Sequence, residues 1–321
     1  MRYYDIEIRD PDSGKSLKRF TTFTNNESDP NGLDIELDIP VVDYATPAGA
    51  SYVRIWGISL DDISQSADFN PNYLNGQAGK EIRISGGMKQ GLPLAKPEQS
   101  MLLASGTIQQ AFGNWLGVEM TLELIFTSSD AVVGNKGKNL TLNWTKGMKL
   151  SDAIQTTLSN AFADYTPEVN ISDSLVLAND EQGFYGTLIQ FAQFIKGISQ
   201  RIVGGDYKGV RIALADKTFR VFDGTTKKDP LTIDFTDLIG QATWQSFGTV
   251  QLTCVMRGDL RVGDFIKLPP GQVTTTQQSY AAARQGISFN GVFQVIGIRH
   301  VGRYRAPSGE SWATIIDASI S

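Results

Sequence analysis

His300 and Cys254 are the only histidine and the only cysteine in this 321-residue chain. One histidine cannot build a multi-histidine metal site, and one cysteine adds little to it. A hydrolytic triad would need a serine on a Gly-x-Ser-x-Gly elbow, and the chain has none. His300 ends the run Phe293-Gln294-Val295-Ile296-Gly297-Ile298-Arg299-His300, in step with Ile296 and Ile298, so it reads as a partly buried strand histidine. Cys254 lies in Val250-Gln251-Leu252-Thr253-Cys254-Val255-Met256 and reads as a small half-buried strand residue.

Paired carboxylates are the other economical device, and an enzyme that digests cell wall or capsule would need two of them several ångströms apart. The close pairs are Asp61/Asp62, Asp180/Glu181 and Asp259/Asp264. All stand in predicted turns or helix starts, where acids serve as caps. Asp29-Pro30-Asn31-Gly32-Leu33-Asp34 lacks the ligand spacing of a calcium loop and has Asp38 where the closing glutamate belongs. It reads as a turn with Gly32 at positive φ. Neither a phosphate-binding Gly-x-x-x-x-Gly-Lys-Ser/Thr run nor a dinucleotide Gly-x-Gly-x-x-Gly occurs. Arg257-Gly258-Asp259 reads as a reverse turn. The expectation is a protein with no catalytic residue, metal or cofactor.

Most elements that would position these residues are strands. Tyr4, Ile6 and Ile8 alternate with polar neighbours, and Leu33, Ile35, Leu37 and Ile39 alternate with Asp34, Glu36 and Asp38. Further strands are predicted near 52–58, 81–85, 102–112 and 116–126, with one short helix over 60–67 capped by Ser59 and Asp62. From about 135 the period changes. Helices are predicted over 147–163, with Ser151 as a cap, and over 187–202, ended by Gly204-Gly205. Extended runs follow at 168–171, 210–215 and 218–222. Strands return at 249–256, 264–268, 292–304 and 312–320. The insert 272–286 is polar and aperiodic, the pattern of a long functional or disordered loop.

Composition narrows the class. Hydrophobic residues at 41% and charged residues at 20% suit a folded soluble protein. The 32 glycines favour many turns and hence short strands. A net charge of −5 gives no field that draws the chain to nucleic acid or an acidic membrane. Neither a signal-type leader nor an apolar run of membrane length is read, so synthesis in the cytoplasm is expected, with no membrane insertion. Without a leader, the sequons at Asn26, Asn139, Asn143 and Asn170 carry no glycosylation meaning.

Gly258-Asp259-Leu260-Arg261-Val262-Gly263-Asp264-Phe265-Ile266-Lys267-Leu268-Pro269 resembles a turn-and-strand of the tail-hub proteins of contractile-tailed phages and related secretion machines. In it, Gly263 takes a positive φ, Asp264 closes the turn, and Phe265 and Leu268 point inward. Thr187 to Gly197, followed by Val210, Ile212 and Leu214, is similar to the hub helix and its hairpin. Val53 to Ile58, Lys80 to Gly87 and Gly106-Thr107-Ile108 resemble its first barrel.

The resemblance implies a mainly β fold with a smaller α+β part: one tube-like barrel over 1–134, an α+β peripheral domain over 135–235 and a second barrel over 236–321. It further implies a homotrimeric ring in the virion tail baseplate, joining a sixfold tail tube to a threefold spike and touching baseplate wedge proteins. Candidate channel-lining or partner-facing residues are Arg257, Arg261, Lys267, Arg299, Arg303 and Arg305, against the plainer reading of scattered surface charge. A distal-tail or tube-like protein and a tail-borne hydrolase are the alternatives.

Overall fold

A computed structural model describes residues 1–24, 27–89, 96–127, 139–225, 228–246, 248–269, 291–308 and 311–320. The insert 272–286 and the 134/135 boundary lie outside these residues. The described residues are mainly β, with 49% in strands and 17% in helices.

The first third holds β1 (Arg2–Arg9), β2 (Ser16–Thr21), the short pair β3 (Phe23–Thr24) and β4 (Glu27–Ser28), β5 (Asp34–Val42) and β6 (Ser51–Trp56). Helix α1 (Leu60–Gln65) follows, then β7 (Glu81–Met88), β8 (Met101–Leu116) and β9 (Glu119–Thr127). Period two is realised in β5, where Ile35, Leu37 and Ile39 are buried and the acids between them are not. The Ser59 hydroxyl accepts the Asp62 N–H and the Asp62 carboxylate accepts the Ser59 N–H, the reciprocal cap that the spacing predicts. Gly32 corrects its prediction. It is absent from the positive-φ residues, and it is small because a Cβ would lie 2.5 Å from the Thr22 methyl.

The middle third holds β10 (Leu140–Trp144), α2 (Leu150–Ala161), β11 (Thr166–Asn170), β12 (Glu181–Tyr185), α3 (Leu188–Val203), β13 (Arg211–Ala215) and β14 (Thr218–Phe222). Helix α3 has Thr187 as its side-chain cap and stops at Gly204 with φ 71°. Ser151 does not cap α2. It lies one residue inside, and Lys149 holds the cap position without a side-chain bond.

The last third holds β15 (Leu231–Thr232), β16 (Thr243–Ser246), β17 (Thr249–Val255), β18 (Phe265–Lys267), β19 (Val292–Arg303) and β20 (Trp312–Ile320). Gly263 has φ 92° and Phe265 and Leu268 are buried, as expected.

The decisive pairing joins the two ends of the chain. Strand β5 pairs with β6 on one side and, antiparallel, with β19 on the other, from Gly297↔Val42 to Arg303↔Glu36. The main sheet therefore runs β16-β17-β20-β19-β5-β6-β9-β8-β7-β1-β2, with β18 also on β19. Among the described residues this path is open at β2 and β16, and no barrel closes. The edges of β5 and β19 pair with each other.

Three apolar cores follow. The first gathers Tyr4, Ile6, Ile35, Ile55, Ile84 and Leu124, yet also takes Met256 and Trp312 from the far end of the chain. The second lies between α2, α3 and the small sheets and takes Tyr44. The third is built on β17, β19 and β20 and takes Ala213 and Phe222. Each core thus borrows side chains from another region, which locks the three parts together. Burying one such large apolar side chain contributes about 1.5–3 kcal/mol.

Candidate assembly surface

The β5–β19 seam has a wet face and a dry face, because side chains alternate along each strand. On the wet face Arg299 Nε donates to Asp38 Oδ1 at 2.7 Å, and Arg303 Nε donates to Asp34 Oδ2 at 3.0 Å. The Arg303 guanidinium lies 4.7 Å from the Trp56 ring centre. Arg54 flanks the same ring and Tyr52, and its Nε donates to Glu123 at 2.9 Å. Arg305 donates its backbone N–H to Asp34 and its guanidinium to the Gly32 carbonyl at 2.6 Å. Basic and acidic groups interleave across β19, β5, β6 and β9. The result is a charge-matched polar face rather than a bare positive one.

On the dry face His300 is fully enclosed, and its Nδ1 lies 3.0 Å from the Thr314 hydroxyl. Burial, with a smaller push from Arg261, drives its pKa down to about 3, so the ring is neutral. It shares its face with Ile298, as predicted. A bulge between Val295 and Gly297 leaves Ile296 only partly buried and puts Val295 inside in its place. The same Thr314 hydroxyl accepts the Arg257 N–H at 3.0 Å.

Arg257 is the main correction. Its side chain is 3% exposed, so in this chain it lines no surface. Its guanidinium makes two bonds to Asp259, at 2.7 and 2.6 Å, and a third to Asp237 at 3.2 Å. Asp237 also accepts from Gln99 at 3.0 Å, and the Gly258 N–H donates to the Gln99 carbonyl at 2.8 Å. Arg257-Gly258-Asp259 is thus a clasp between the first and last thirds. A buried charge persists only with such partners. Arg261 turns inward too, donating to the carbonyls of Gly258 and Leu260, and burial holds its pKa below the ordinary arginine value. Lys267, Arg299, Arg303 and Arg305 are exposed.

Four of the six carboxylates in the candidate pairs are in structural use: Asp62, Asp180, Asp259 and Asp264. Asp62 caps α1 and pairs with Lys18. Asp180 accepts the Lys146 N–H, and Glu181 opens a strand rather than a turn. Asp264 accepts the Arg261 N–H and pairs with Arg220 at 2.7 Å. Among the described residues no cluster of three His, Cys, Asp or Glu could hold a metal ion. No described helix is long and apolar enough to cross a membrane.

Two features escaped the sequence reading. The Arg2 guanidinium donates to the carbonyls of Arg303, Tyr304, Ala306 and Ser308, fastening β1 to the turn after β19. No local pattern marks it. The tip of the β8–β9 hairpin exposes Trp115, Leu116 and Val118, at 63, 78 and 97%. There the signal existed: three apolar residues around the Gly117 turn.

A tail protein from Neisseria meningitidis MC58 superposes with a TM-score of 0.50 at 13% identity, covering 100% of this chain and 96% of that one. The 43 kDa tail protein of prophage MuSo2 from Shewanella oneidensis gives 0.51 at 9% identity, covering 100% and 98%. The fold is shared with tail proteins. A component of the Escherichia coli type VI secretion system, c3393, overlaps less well, at 0.49 and 10% identity over 90% of this chain and 73% of that one. No protein-family model matches the chain, and no curated protein matches its sequence. The likeness to the tail-protein fold therefore lies in the path of the backbone.

Proposed function

We propose that the chain is a structural, non-catalytic subunit of a phage tail, or of a machine derived from one, and that it forms the hub of the baseplate. Three copies make a ring that joins a sixfold tube to a threefold spike and meets the wedge proteins at its rim. The observation that carries this reading is the β5–β19 seam. Two strand-rich units in one chain are welded edge to edge through seven consecutive residue pairs, Gly297↔Val42 to Arg303↔Glu36. A chain with two such units converts three copies into six wall segments, which is what an adapter between threefold and sixfold symmetry requires. A closed ring also leaves no unpaired heterologous face. The tail-protein fold supports the setting. The structural employment of at least one carboxylate in each close pair supports a role without chemistry.

The test is the native mass of the purified protein across a concentration series. A species near three times 35.1 kDa is expected. A strict sixfold ring would replace the hub with a tube or distal-tail protein. Clearing of purified cell wall by the protein would replace it with a hydrolase.

A further inference from the structure

The hairpin tip and an apolar pocket lie at opposite ends of one strand. At the start of β9, the tip Asn114-Trp115-Leu116-Gly117-Val118 carries no charge and exposes three large apolar side chains. At the other end of β9, Thr127 helps line a cavity of about 270 Å³ walled by Val42, Tyr44, Pro47, Ala48, Ile189 and Leu214. Ile189, at the start of α3, is 44% exposed there. Among the described residues of the wall Asp43 is the one acid, and its carboxylate is occupied by the Ala45 N–H and the Thr46 hydroxyl, each at 2.9 Å.

We infer that the hairpin tip of one copy docks into this pocket on the next copy, head to tail. Three observations choose that occupant. The cavity is smaller than the ~300 Å³ lower bound typical of small-molecule sites, yet it suits one large side chain. The Trp115 indole N–H already donates to the Gly117 carbonyl at 2.8 Å, so the ring can leave water without orphaning a donor. Finally, a nine-residue strand at ~3.4 Å per residue separates tip and pocket by about 30 Å, so a chain cannot fill its own pocket. A knob and a hole at different places on one molecule make a heterologous contact, which closes into rings or runs on as a filament. The contact deepens the ring reading above and supplies its interface.

The experiment uses two variants of the full chain. Trp115→Ser with Leu116→Ser blunts the knob, and Ile189→Glu puts a charge at the mouth of the hole. All three positions are exposed, and an acid near the start of α3 suits the helix dipole. Sedimentation across a concentration series should show each variant's self-dissociation constant raised at least ~30-fold, the size of a lost hot spot. Mixed in equal amounts, the two should form one-to-one heterodimers, because one retains an intact knob and the other an intact hole. A wild-type oligomer that neither variant weakens overturns the contact and leaves the ring reading standing. Weakening in both variants without rescue in the mixture overturns the contact as well. A wild-type chain that stays monomeric at every concentration removes contact and ring together.

Discussion

Arg257 and Asp237 meet at 3.2 Å with side chains only 3% and 1% exposed, and one oxygen of that carboxylate, Oδ1, has no hydrogen-bond partner among the described residues. Gln99 donates to the same carboxylate and so ties this pair of the last third to the first third of the chain. Removing the arginine alone would leave Asp237 and Asp259 without their guanidinium, so Arg257→Ala should lower stability by about 3–5 kcal/mol. Replacing both members, Arg257→Met with Asp237→Leu, should cost less than the single change, because the enclosed Asp237 carboxylate goes with its partner and only Asp259, 18% exposed, loses its guanidinium. Urea midpoints of the two variants check the order. A double variant weaker than the single one would contradict it.

His300 makes stability depend on pH in a definite direction. Its folded pKa is about 3, below the ordinary 6.5, so the unfolded chain takes up the proton first as pH falls. Its contribution is fully present above pH 6.5 and is lost progressively as pH falls towards 3, with a slope of at most ~1.4 kcal/mol per pH unit. Carboxylates titrate in the same window. The informative quantity is therefore the difference from His300→Gln, whose unfolding free energy should fall less steeply between those limits. Parallel curves for the two proteins would show that His300 does not carry the effect.

Burial pushes the Cys254 thiol up to about 12. A thiol that stays protonated and enclosed is a poor nucleophile. A maleimide or aromatic disulfide reagent at pH 8 should leave the native protein unlabelled and react with one thiol per chain in denaturant. Rapid stoichiometric labelling of the native protein would place Cys254 at the surface.

Gly263 combines φ 92° with a Phe222 ring atom 2.7 Å from where a Cβ would sit. Gly263→Ala therefore meets both a backbone penalty and a clash, together roughly 2–5 kcal/mol. Gly147→Ala, also at positive φ but with open space around it, should cost only the backbone part. Comparing the two unfolding midpoints separates the terms.

The exposed ladder should behave oppositely. Arg299→Glu with Arg303→Glu sets like charges against Asp38 and Asp34, and exposed pairs contribute only about 0–1 kcal/mol each. The expected loss is small and shrinks further as salt rises from about 0.05 to 0.5 M. If this face meets a partner in the assembled tail, the same double variant should fold normally and fail to assemble. Unchanged particles would remove the partner-facing role.

What local pattern can carry was legible in the sequence. Alternation in β5, the Ser59–Asp62 cap, the cap and glycine stop of α3 and the Gly263 turn all depend on residues within a few positions of one another. Physical rules acting over that range do not need the rest of the chain. Tertiary structure decided everything that joins distant segments. A strand edge carries no label for its partner, so the pairing of β5 with β19 could not be read from either strand. Nor could the inward turn of Arg257, whose charge looks like any surface arginine until Asp237 and Asp259 are brought round it. Arg2 is the same case: its partners are backbone carbonyls some 300 residues away, which every sequence has and none advertises.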